Sequence, residues 1–65
     1  MKATFELGGD DHLGDLLSSM FAHQAQIVKV DPSILETYTY EVTFLFPSYD
    51  HYFAFVEEIG RGPIK

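Results

Sequence analysis

The chain has 65 residues, of which 46% are hydrophobic and 15% aromatic, with no cysteine and ten acids against four bases for a net charge of −6. This length allows one domain and one small core, the composition is too apolar for a disordered chain, and the lack of cysteine excludes a disulfide staple. An acidic chain repels phosphate backbones, so no nucleic-acid partner is expected, and no apolar run approaches the ~18 residues of a membrane span, so no membrane is expected either.

Residues 2–7 alternate. Ala3, Phe5 and Leu7 point one way and Lys2, Thr4 and Glu6 the other, which is the pattern of a half-buried strand. The start Met1-Lys2-Ala3-Thr4 passes straight into that pattern, so no signal peptide is expected. The absence of cysteine fits a reducing cytoplasm. Gly8-Gly9 ends the strand, and Asp10 or Asp11 is suited to cap a helix. Leu13, Leu16, Leu17, Met20 and Phe21 follow at i, i+3, i+4, i+7 and i+8, giving one apolar helix face that runs out near His23 to Ala25.

Gln26 to Val30 is short and rich in β-branched residues, hence a second strand, and Asp31-Pro32-Ser33 reads as a turn. The clearest strand is Thr37 to Phe46. Tyr38, Tyr40, Val42, Phe44 and Phe46 share one face; Thr37, Thr39, Glu41, Thr43 and Leu45 share the other. Pro47 stops it. Ser48 is suited to cap a second helix, Tyr49 to Ile59, whose face is Tyr52, Phe55, Val56 and Ile59 with Phe53 beside it. Gly60 suits the position after the helix, and Pro63 prevents its continuation.

The expectation is a single small α+β domain over residues 1–65, with 60–65 as a tail. The order β-α-β-β-α gives a two-layer structure of ferredoxin-like type, an antiparallel sheet with two helices on one face. Its fourth strand is short, absent or supplied by another chain. The first strand would then be an edge with unpaired backbone groups, and a homodimer through that edge is expected.

No catalytic set is legible. The serines carry no motif of an activated nucleophile, and the glycines match no phosphate loop. Asp10, Asp11, His12, His23, Asp50 and His51 are of types that suit zinc or manganese, yet none of their spacings is a ligand pattern. Helix capping accounts for the two Asp-His pairs, and His23 is expected on helix-end carbonyls. The chain therefore reads as a non-enzyme without metal or cofactor, with a metal-dependent enzyme as the last of the alternatives.

Tyr38, Tyr40, Phe44, Phe46, Tyr49, Tyr52, Phe53 and Phe55 crowd into eighteen residues, more than a small core easily hides. Aromatic side chains anchor protein interfaces. Tyr38, Tyr40, Tyr49, Tyr52, Phe53 and Phe55 are thus expected to contact a protein partner. The function expected is that of a small acidic regulator or inhibitor of a larger protein, host-takeover proteins of the phage type included.

Asp11-His12-Leu13-Gly14-Asp15-Leu16, followed by Met20 to Val28, resembles the first half of an ACT domain. Asp11 and Gly14 match that family's loop positions, Leu16 its helix position and Ile27 its second-strand start. Leu13 stands where the family has proline and Gln26 where it has asparagine. The resemblance implies a β-α-β-β-α-β fold that senses a small ligand, an amino acid or nucleotide, with Gly9, Asp10, Asp11, His12 and Gly14 as the alternative binding residues.

Overall fold

The computed structural model describes residues 1–8, 13–32 and 39–64. The expected cap at Asp10 or Asp11 and the start of the long strand at Thr37 and Tyr38 lie outside the described residues. Strand β1 spans Lys2–Gly8, helix α1 Leu13–Ala22, strand β2 Gln26–Pro32, strand β3 Thr39–Leu45 and helix α2 Tyr49–Ile59. Among the described residues the sheet has three strands in the order β1-β3-β2, antiparallel throughout.

Alternation along the strands sorts their side chains as period 2 requires. Ala3 lies opposite Phe44 and Phe5 opposite Val42, and all four are buried. The other face carries Thr4 opposite Thr43, joined by a 2.8 Å hydrogen bond between hydroxyls. β2 does not end at Val30. Asp31 and Pro32 continue it opposite Glu41 and Tyr40, so the expected turn at Asp31-Pro32 is instead strand. Proline is tolerated there because β2 is an edge strand. Val28 is the extra residue where the register shifts between Ile27 and Lys29.

Phe55 of α2 is the centre of the core. It is 1% exposed, and its ring lies 5.3–5.5 Å from those of Phe5, Phe44 and Phe46. The Phe5 ring meets it at 77°, an edge-to-face contact that adds to the area buried. Tyr52 packs on Phe46 at 5.6 Å, and Val56 and Ile59 pack against the same cluster. Ser48 caps α2, its hydroxyl accepting from the His51 amide at 3.3 Å. Gly60 ends the helix at φ 77°, where only glycine is free of strain, and its N–H donates to the Val56 carbonyl.

Helix α1 ends differently. The Ala25 N–H donates to the Met20 carbonyl and the Gln24 N–H to the Phe21 carbonyl, the paired bonds of a Schellman motif. Its left-handed residue is Gln24, at φ 57°. Met20 and Ala25 supply the motif's apolar contact, and both are in the core.

Residues 61–64 form no strand, yet the Ile64 N–H donates to the Thr4 carbonyl at 2.7 Å. The tail thus touches the outer side of β1, where a fourth strand would lie.

Replacing Phe55 by alanine is expected to cost about 3–5 kcal/mol, against roughly 3–10 kcal/mol for a whole chain of this length. Denaturant unfolding checks this, with Phe53→Ala expected within about 0.5 kcal/mol of the parent. Gln24→Gly relieves the left-handed strain and should raise stability by about 1 kcal/mol in the same assay.

Candidate functional site

The apolar face of α1 is only partly used. Met20 reaches the core, Leu16 is half-buried, and Leu17 and Phe21 are 47% and 73% exposed. β2 across from it keeps Ile27 and Val30 about half exposed. Between helix and sheet lies an open groove of about 370 Å³. Leu16, Leu17 and Met20 form its helix side, and Ile27, Val30, Tyr40, Val42 and Phe44 its sheet side. Leu7 and Gly8 complete the wall at the end of β1.

The cause is the unequal filling of the inner sheet face. Three phenylalanines and Phe55 crowd the end of the sheet beneath α2. At the other end the inner row is Leu7, Val42, Val30 and Tyr40, shorter side chains with a tyrosine that stays 51% exposed. Helix α1 is fixed at its C-terminal end by Met20 and Ala25, and the space under its first turns is left open.

A polar clasp fixes that same end. The Ser19 hydroxyl donates to Glu58 Oε1 at 3.0 Å, and His23 Nε2 meets Glu58 Oε2. The His23 ring also packs edge-on against Phe55. His23, expected on helix-end carbonyls, instead joins α1 to α2. The hydrogen bond from His23 holds the Glu58 carboxyl below the usual carboxylate range, with Ser19 adding to the effect. The carboxylate stands between hydroxyl and imidazole, so the imidazole is not placed to take a proton from Ser19. This arrangement joins helices; it does not activate a nucleophile.

The aromatic residues expected to meet a partner are dispersed. Tyr40 lines the groove. Tyr49 and Phe53, 62% and 59% exposed, form a ridge on the outer side of α2 with rings 6.1 Å apart. Tyr52 is half-buried between Phe46 and Phe53. Phe55 is corrected from contact residue to core, since its ring has no exposed face. Tyr40 and the Tyr49 ridge flank opposite ends of β3, roughly 20 Å apart at the rise of a strand. Tyr38 lies outside the described residues.

Of the alternative ligand loop, Gly9, Asp10, Asp11 and His12 lie outside the described residues, and Gly14 is exposed with open space around it. His51 of the second Asp-His pair bonds Ser48 through Nδ1 at 2.7 Å and so belongs to the α2 cap. Among the described residues no three His, Asp or Glu side chains are grouped to hold a metal, and no helix is long and apolar enough to cross a membrane.

Leu7, Leu16 and Leu17 lie on the apolar faces that the sequence pattern predicts for β1 and α1, and Ile27 and Val30 on the predicted second strand. The available signal was quantity: a core already filled by four phenylalanines has no room for a full leucine stripe and a β-branched strand as well.

Comparison with known proteins adds no relative: no family model, no curated protein and no solved structure matches the chain.

Glu58 links pH to the α1–α2 clasp. A carboxyl whose folded pKa is lowered contributes stability above its unfolded pKa and loses it as pH falls through the folded value. Thermal unfolding of the parent and Glu58→Gln should therefore differ at pH 7, with the parent more stable. The two melting temperatures should converge once the pH has fallen below the carboxylate range. A gap that persists unchanged at pH 2 would contradict the assignment.

Proposed function

We propose that this chain is a non-enzymatic protein-binding module, a small acidic regulator or inhibitor of a larger protein, and that the groove under α1 receives apolar side chains of the partner. One observation carries the reading: an open space of about 370 Å³ walled by aliphatic side chains, with Leu17, Ile27, Val30 and Tyr40 about half exposed around it. Apolar surface held in water gains ~25 cal/mol per Å² when covered, and a partner's side chains can cover it. The net charge of −6 favours a partner segment whose apolar anchors are flanked by basic residues.

This reading moves the binding surface from the aromatic ridge of α2 to the groove. The ridge is convex and self-packed, whereas the groove can enclose what it binds. The arrangement β1-β3-β2, with the tail bonded to Thr4 on the outer side of β1, supports a ferredoxin-like unit.

A second reading is small-ligand sensing in the ACT-like manner. It rests on the groove volume, which falls within the roughly 300–1,000 Å³ of small-molecule sites, and on Gly8, which lines the groove and precedes the Gly9–His12 segment. Among the described lining residues Tyr40 carries the one hydroxyl, and the rest of that lining suits a largely apolar ligand.

Photo-crosslinking separates the groove from the rest of the surface. A benzophenone side chain in place of Leu17 should give a discrete protein adduct in lysate, and the same group at exposed Glu57 should not. Adding Val30→Asp should abolish the Leu17 adduct. Equal labelling from both positions, or an adduct indifferent to Val30→Asp, would sink the proposal.

A further inference from the structure

The two sheet edges are not equivalent. At β1, the bond from the Phe46 N–H to the Met1 carbonyl sets the phase of the ladder. Odd-numbered residues of β1 bond β3, and the backbone of Lys2, Thr4 and Glu6 faces outward. The Ile64 N–H already occupies the Thr4 carbonyl in that outward row. The same phase carries across β3: Glu41, Thr43 and Leu45 turn their backbone groups toward β2. Their partners Asp31, Lys29 and Gln26 are therefore bonded inward, and Val30, opposite Val42, turns its N–H and C=O to the side away from β3, where no strand pairs among the described residues.

We infer that β2 pairs antiparallel with β2 of a second copy, on a two-fold axis at Val30, joining the two sheets edge to edge. The inference rests on reading the chain as a protein-binding module and supplies that module with a self-partner; the groove has its own test in the Leu17 adduct.

Three observations select this occupant and register. First, Val30 presents both backbone groups outward, so a two-fold axis there makes a hydrogen-bonded Val30–Val30 pair, each residue giving and receiving one bond. Second, the charges are complementary. Lys29 and Asp31 flank Val30 on the outer sheet face and lie 3.2 Å apart within one chain. Antiparallel pairing about Val30 sets Lys29 of each copy opposite Asp31 of the other, twice by symmetry. Third, the edge is bounded. The bulge at Val28 and the missing N–H of Pro32 bracket Lys29 to Asp31, so pairing stays short and closes at two copies. Val30, 53% exposed in one chain, then meets its own copy beside the two grooves.

Charge reversal tests the register. Sedimentation equilibrium of the parent should show a species of twice 7.4 kDa that dissociates on dilution. Lys29→Asp sets acid against acid at both contacts and should weaken the dimer by roughly tenfold or more, about 1.4 kcal/mol. Lys29→Asp with Asp31→Lys restores opposite charges and should return the affinity to within about threefold of the parent. Independently of any substitution, a sample mixing isotope-labelled and unlabelled chains should give an intermolecular NOE between Val30 methyl groups. A parent monomeric at roughly 1 mM, a dimer unmoved by Lys29→Asp, or a double variant no tighter than the single one would each overturn the pairing. The groove is judged separately by the Leu17 adduct: if the dimer fails and that adduct forms, only the self-pairing is lost.

Discussion

Phe55 is the side chain on which the rest of this structure depends. A chain of 65 residues without cysteine has neither the length for a large core nor a covalent staple. It compensates by driving one ring from α2 into the space bounded by Phe5, Phe44 and Phe46. The four rings come from β1, β3, the residue just after β3, and α2, parts of the chain that include its two ends, so this contact fixes the fold as well as stabilising it. The caps at Ser48 and Gly60 set where α2 begins and ends, and hence where Phe55 falls over the sheet.

Concentrating the core at one end leaves the other end thin. Helix α1 is tied down through Met20, Ala25 and the Ser19–Glu58–His23 clasp, all near its C-terminus. Leu16 and Leu17, one to two turns earlier, face the groove instead of a filled core. The exposed aliphatic wall, the acidic surface and the bounded β2 edge together support a protein-binding reading, and each resides in a different part of the fold.

Much of this architecture was legible in the sequence, for reasons of period. The strict alternation from Thr39 to Leu45 and the 3.6 spacing of Tyr52, Phe55, Val56 and Ile59 each admit one element type, and α2 lies at the expected Tyr49–Ile59. Gly60 was readable because glycine is the residue suited to a left-handed cap. Gln24 takes the same conformation at the end of α1 with no such signal, since the Met20–Ala25 contact imposes it. Pro32 misled because proline marks turns more often than edge strands. Phe53 and Phe55 differ by two positions and look alike in composition. The helical spacing puts Phe55 on the apolar face with Phe53 beside it, and the crossing of α2 over the sheet buries the first and leaves the second facing outward. The groove was not legible, because apolar periodicity reports which side of an element faces inward and not how completely that side is covered.

Amide hydrogen exchange tests the central claim, that an aromatic core welds α2 to β1 and β3 while α1 is held at one end over an open groove. Local opening should then vary along the chain in the order of buried contact. The account predicts that the amides of β3 and of α2 around Phe55 exchange only on global unfolding, whereas those of α1 from Leu17 onward exchange markedly faster. Equal protection of α1 and α2 would contradict it, because it would mean that α1 is packed along its length and no groove stands open beneath it.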